Sequence, residues 1–338
     1  MRMKDYEIIT GEALEVLSNM NSDSANTCVT SPPYYGLRDY GAEGQIGHEK
    51  SPEEYVSKLV KIFREVKRVL KDDGTLWLNL GDSYAGSGKG AWNNRTKGKE
   101  SYNVRTDNAI ATMPKSWSGL KAKNLIGIPW RVALAIQADG WILRQDIIWH
   151  KPNAMPESVK DRCTKSHEYI FLFSKRPKYY FNAESIAEPV AESTIKRLFP
   201  GIHNQEGSSR AIGKTNRNMK AVAPRYGGKK YTEMPNKFHR TKSGNMYDFR
   251  PLRNKRDVWT VSTVPFKEAH FATFPPELIR PCILAGSREG DIVLDPFSGS
   301  GTTGAVSVEE GRRFTGIEIN PEYVSMSKER IRNVRGIR

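Results

Sequence analysis

No run in the 338 residues approaches the eighteen or so consecutive apolar positions that a membrane-spanning helix needs, so no membrane association is expected. The opening residues, MRMKDYEIITGEALEVL, lack the basic, apolar and small-residue succession of a secretory leader, and a cytoplasmic location is expected. Cysteine is scarce: Cys28, Cys163 and Cys282 lie far apart, with no Cys-x-x-Cys pair. The six histidines show no ligand spacing either, so neither a disulfide framework nor a metal site is expected. Acidic residues are outnumbered, 38 against 53 lysines and arginines, which leaves a net charge of +15. A polyanion is the partner this favours, although basic charge alone does not separate nucleic acid from an acidic surface.

What is present is enough hydrophobic sequence, 38%, for one large α/β core and a smaller lobe. GDIVLDPFSGSGTTGAVSVEEG reads as a short strand (292–294), a glycine turn and a helix from about Thr302; RRFTGIEINPEYVSMSKERIR then supplies a second strand and an amphipathic helix. Further strands are expected at YEIIT, NTCVTS, GTLWLNL, WILRQDIIWH and HEYIFLFSK. Between two of these, residues 51–74 carry Ser51 and Glu54 in capping-box positions, Pro52 at the first helical position, and apolar residues at 55, 56, 59, 63, 66 and 70. This predicts an amphipathic crossover helix. Strands alternating with helices predict a mostly parallel sheet with ligands at the carboxyl ends of its strands, where TSPPY and DPFSGSG both fall.

Two segments break this rhythm. From Lys196 to Arg256 there are sixteen basic residues against three acidic ones, an excess of +13, with Tyr226, Tyr231, Phe238, His239, Tyr247 and Phe249 interleaved. That pattern suits phosphate contacts beside base or sugar stacking, and also a solvated insertion. The other segment, about 85–123, is rich in glycine, serine and lysine and long for a plain connection, which predicts a mobile loop over a site.

In DPFSGSGTT, Gly299 and Gly301 allow a ligand close to the backbone, the helix from Thr302 offers free N–H groups, and Asp295 at the strand end favours a cationic ligand group. The next strand ends in Glu318, suited to accepting hydrogen bonds from ribose hydroxyls.

The combination of TSPPYY with downstream FATFPPELIRPCILAG, DPFSGSGTTG and GIEINPEYV resembles the beta-group amino methyltransferases of DNA. GWILRQDIIWHKPNAMPES and HEYIFLFSKRPKYYF extend the resemblance. It implies a circularly permuted, Rossmann-like class I methyltransferase sheet in which residues 1–182 form the catalytic half and 258–338 the cofactor half. Residues 183–257 fall where the family carries its target-recognition insertion. The implied cofactor is S-adenosyl-L-methionine, held by Phe274, Pro275, Asp295, Phe297, Gly299, Gly301, Thr302, Glu318 and Ile319. Glu12 stands where the family usually has aspartate after its first strand. The implied catalytic motif is Ser31, Pro32, Pro33 and Tyr34. In it, Ser31 Oγ and the Pro32 carbonyl accept the amino hydrogens, the prolines fix that carbonyl, and Tyr34 stacks on a base flipped from the duplex.

DNA is therefore the expected partner, with Lys214, Arg217, Arg225, Lys229, Lys230 and Arg240 as candidate contacts. A cognate restriction endonuclease is a candidate second partner, and a monomer or weak dimer is expected. A Ser-Pro-Pro-aromatic motif is typical of family members acting on N4 of cytosine, with N6 of adenine as the alternative. Pro281-Cys282 could mark carbon-5 chemistry, but PPELIRPCILAG reads as a helix with Cys282 on its apolar side. A non-catalytic DNA-binding scaffold is the remaining alternative. It would be expected to lose pieces of the motifs that are intact here.

Overall fold

The computed structural model describes residues 5–36, 44–85, 120–191, 252–263 and 274–335. They divide into two compact units, Met1–Ser185 with Arg256–Arg338, and Ile186–Lys255.

The first unit is built on an eight-stranded sheet of β1 (Tyr6–Thr10), β2 (Ala25–Thr30), β3 (Leu70–Leu80), β4 (Ile142–His150), β5 (His167–Ser174), β8 (Val258–Thr260), β9 (Ile292–Asp295) and β10 (Arg313–Glu318). Their order is β1-β10-β9-β2-β3-β5-β4-β8. The two C-terminal strands thus lie between the first two N-terminal ones, which is the permuted arrangement expected. The pairs from β1 to β3 are parallel, while β5 runs antiparallel to both β3 and β4. The start of β5 therefore lies at the same edge as the carboxyl ends of β2, β3 and β4.

All six residues of β2 are buried, as the centre of a covered sheet requires. The crossover helix α2 (Pro52–Val69) forms as expected: Ser51 caps it by accepting from the Glu54 N–H at 3.1 Å, and Tyr55, Leu59, Ile62, Phe63, Val66 and Val69 face the core. Glu54 reaches back to the Lys50 N–H, one residue before the cap. Two helices lie outside the sequence expectations, α1 (Ala13–Asn19) and α3 (Ile128–Ala138). The C-terminal half adds α4 (Pro276–Gly286), α5 (Thr302–Glu309) and α6 (Pro321–Arg335). Cys282 is buried on α4, as its apolar position predicted.

Residues 86–119, most of the expected mobile loop, lie outside the described residues. At its base Tyr84 bridges Leu125, and Ala85 and Lys123 exchange backbone hydrogen bonds with their partners across the neck. In the second unit, β6 (Glu188–Pro189) pairs antiparallel with β7 (Leu252–Arg253), and Lys255 bonds Glu188 at 3.1 Å. The intervening basic stretch, including Lys214, Arg217, Arg225, Lys229, Lys230 and Arg240, lies outside the described residues. No described helix is long and apolar enough to cross a membrane.

Candidate active site

Strand ends bring the motifs together. β2 and β9 are neighbours, so Thr30, the last residue of β2, meets Asp295, the last of β9. Thr30 Oγ1 donates to Asp295 Oδ1 at 2.6 Å, Phe297 N–H donates to the same oxygen at 3.0 Å, and Thr303 Oγ1 donates to Oδ2 at 2.7 Å. The carboxyl group is 1% exposed. The expectation that Asp295 faces a cationic ligand group is corrected here, because the side chain is buried and both of its oxygens are turned to internal donors. Burial raises its pKa to about 6 against the lowering pull of those three donors.

The two turn glycines have different duties. Gly299 has φ +51°, and a Cβ there would meet only the Phe297 carbonyl, at 3.9 Å, so the turn is open at this point. Gly301, the N-cap of α5 at φ +80°, would place a Cβ 2.1 Å from Ser327 Oγ. Its lack of a side chain serves the approach of α6. Thr302 is likewise buried, and its hydroxyl accepts from Arg330 of α6 at 2.8 Å, which ties the start of α5 to the C-terminal helix.

Glu318 closes β10. Its Oε2 accepts from the Gly299 N–H at 2.8 Å and its Oε1 from the Asn320 N–H at 2.9 Å, and burial raises its pKa. It forms no ion pair among the described residues. Ile319 follows, half-buried. Gly11 N–H donates to the Glu318 carbonyl at 3.0 Å, which brings Glu12 beside this strand end; Glu12 itself caps α1 by accepting from Glu15 N–H. Phe274 and the buried Pro275 stand at the entrance of α4, which packs against β2, and Phe297 packs on the core. A turn left open at Gly299, next to a half-buried carboxylate whose oxygens each carry one backbone hydrogen bond and can accept another, fits a nucleoside-type cofactor.

Across the sheet, Ser31 is half-buried directly after Thr30. Among the described residues the Pro32 carbonyl receives no hydrogen bond, whereas that of Pro33 accepts from Tyr55 Oη at 2.9 Å. Tyr34 Oη lies 3.5 Å from Ser31 Oγ and donates to Glu168 Oε2 at 2.6 Å, with Asn79 Oδ1 3.0 Å away. Thr30, Thr303, Asn79 and Glu168 were missed as site residues in the sequence. The threonines abut motifs already singled out, and Glu168 is the one acid within the apolar strand HEYIFLF.

The sheet order defines a class I methyltransferase fold, and methyltransferase relatives identify the cofactor as S-adenosyl-L-methionine. Residues 25–329 match a family model described as DNA methylase, of the N6/N4 type. Among the relatives, a Type II methyltransferase of Citrobacter freundii, M.Cfr9I, is 45% identical over 331 residues, covering 98% of this chain and 89% of its own. M.SmaI of Serratia marcescens is 43% identical over 332 residues, covering 97% and 91%. The solved PvuII DNA methyltransferase (cytosine-N4-specific) shares the fold with a TM-score of 0.59 at 18% identity, over 99% of this chain and 92% of that one. The chain belongs to the N6/N4 family of DNA methylases.

Asp295 generates a pH signature. Its folded-state pKa of about 6 lies above that of an exposed aspartate, near 3.9. The folded protein therefore holds this proton more tightly, and the group's contribution to stability is full below about pH 4, falls as pH rises through about 6, and is level beyond. Asp295→Asn, which cannot titrate, should gain on the wild type across that window in urea unfolding measured at a series of pH values. Asp295→Ala should lose about 2 kcal/mol or more throughout, because the Thr30 and Phe297 donors are left buried without their acceptor. A difference between Asp295→Asn and wild type that does not change with pH would contradict the raised proton affinity.

Proposed function

We propose that the chain methylates the N4 amino group of cytosine in DNA by direct transfer, as the modification enzyme of a restriction–modification pair. The observation that carries this reading is the 2.6 Å bond from Thr30 to Asp295, which holds Ser31 and the glycine turn at one sheet edge. Gly299, Glu318 and Ile319 would hold the cofactor, with Phe297, Phe274, Pro275 and Glu12 around it. When bound, S-adenosyl-L-methionine supplies an electrophilic methyl group at that edge.

The task left to the protein is to make an exocyclic amino group nucleophilic, since its lone pair is delocalised into the base. Ser31 Oγ accepts one amino hydrogen and the Pro32 carbonyl the other, which turns the lone pair out of conjugation. Pro32 and Pro33 have restricted φ and no N–H, so the carbonyl stays where the strand end puts it. The Tyr34 ring supplies the stacking surface for the flipped base. A neutral serine at the head of the motif, where the adenine-directed pattern has an acid or an amide, supports cytosine as the target. The basic 183–257 region would recognise DNA, a few side chains at base edges giving specificity and most of its cations positioning phosphates. The relatives named Type II methyltransferase support a paired restriction endonuclease.

Incubation with mixed-sequence DNA and methyl-labelled cofactor should yield 4-N-methylcytosine on nucleoside mass spectrometry. Ser31→Ala should lower turnover tens to hundreds of fold, about 2 to 3 kcal/mol, with cofactor affinity little changed. Finding 6-N-methyladenine would keep the mechanism and replace the base; 5-methylcytosine would overturn both.

Replacing residues 196–250 with a Gly/Ser linker, which retains β6 and β7, should preserve cofactor binding and abolish site-specific methylation. The salt dependence of DNA binding should weaken in parallel, because most phosphate neutralisation is removed. Persistent site-specific methylation by this variant would rule out a recognition role.

A further inference from the structure

Behind Tyr34 lies a polar cluster that the methyl-transfer reading does not use. Glu168 stands on β5 opposite Trp149 of β4, and β5 in turn pairs with β3, which carries Asn79. Its Oε2 receives the Tyr34 hydroxyl at 2.6 Å and the Asn79 amide at 3.3 Å; its Oε1 is paired with Lys151 Nζ. Asn79 is itself anchored by donating to the Tyr169 carbonyl at 3.0 Å. Lys151 sits 4.2 Å from the Trp149 ring, and its backbone N–H bonds the Ser166 carbonyl at 2.8 Å. The Glu168 and Lys151 side chains are 14% and 19% exposed, so both charges are largely out of water. Such a pair tends to recover little more than its own desolvation, and an apolar pair would serve packing as well. What it does provide is a fixed, charged acceptor for one hydroxyl.

That hydroxyl belongs to the residue proposed to stack on the base. The Tyr34 ring packs on Gly81, where a Cβ would come within 2.5 Å of its Cε2. The ring is thus confined by backbone along its side and tethered at its tip.

We infer that Glu168, fixed by Lys151, is a positioning residue that locks the Tyr34 ring in its base-stacking orientation before DNA arrives. This rests on the reading that Tyr34 faces the target base. A preset ring costs the flipped base no ordering of its platform, so loss of the tether should appear in the DNA step and not in cofactor binding.

The test is a double-mutant cycle on methyl transfer to mixed-sequence DNA, with cofactor affinity and thermal unfolding measured alongside. Tyr34→Phe and Glu168→Ala should each lower kcat/KM for DNA about tenfold, as expected for one hydrogen bond to a charged group. The double variant should be no worse than the weaker single one, and cofactor affinity should stay within about twofold. Glu168→Gln, which keeps an acceptor for the hydroxyl, should retain most activity with an unchanged pH profile. Losses that multiply in the double variant would overturn the inference, as would full activity in Glu168→Ala. Equal loss in Glu168→Gln and Glu168→Ala, with a shifted acidic limb of the pH profile, would overturn it in favour of proton acceptance. Should Glu168→Ala fail to fold, Glu168→Met, which fills the same volume, takes its place in the cycle. Tyr34→Ala separates the two levels: full turnover there removes the stacking reading itself, whereas a large loss combined with a multiplicative cycle removes only the role of Glu168.

Discussion

The site depends on one buried carboxylate. Asp295 joins Thr30, at the end of the strand that leads into Ser31-Pro32-Pro33-Tyr34, to Thr303, in the helix that follows the glycine turn. These groups come from opposite ends of the chain and meet because β2 and β9 are paired in the sheet. Burying an acid is unfavourable unless its oxygens are satisfied, and here three donors satisfy them. The same bonds that offset the burial also fix the relative placement of the two loops. Methyl transfer needs reacting groups held to within a fraction of an ångström, and a rigid internal tie at this point serves that placement.

The glycine turn shows a similar division between structure and ligand. Gly299 leaves its outer face open and gives its N–H to Glu318, while Gly301 makes room for Ser327 of α6. Arg330 adds bonds to Ser300 and Thr302, so the C-terminal helix braces the turn from behind. A turn that must approach a ligand on one side is thereby supported on the other.

Much of this was legible in the sequence. The buried run of β2, the capped periodicity of α2 and the strand–turn–helix at 292–309 each carry a local signal, and the order of the motifs along the chain implies the permuted sheet. The two undetected helices have physical reasons for being quiet: α1 has only seven residues, and α3 is apolar around much of its circumference, which erases the contrast that periodicity needs. The proposed site was legible where its residues are contiguous, as in Ser31 to Tyr34. It was not where partners are distant: Tyr34 meets Glu168 134 positions away, and nothing local in HEYIFLF says which side chain its acid will hold. Asp295 was located correctly and assigned the wrong direction, because a strand-end acid looks the same in sequence whether it points to a ligand or into the fold.

Asp295 holds the strand proposed for catalysis and the turn proposed for the cofactor as one unit. The most direct test of that tie is the affinity of Thr30→Val for S-adenosyl-L-methionine, measured by titration calorimetry. Valine keeps the shape of threonine and removes only the donor 2.6 Å from Asp295, on a strand assigned to the catalytic motif. If the tie sets the turn, affinity should fall roughly tenfold, about 1.4 kcal/mol, although no cofactor-facing group has been changed. An affinity equal to that of the wild type, in a variant that folds normally, would contradict the account.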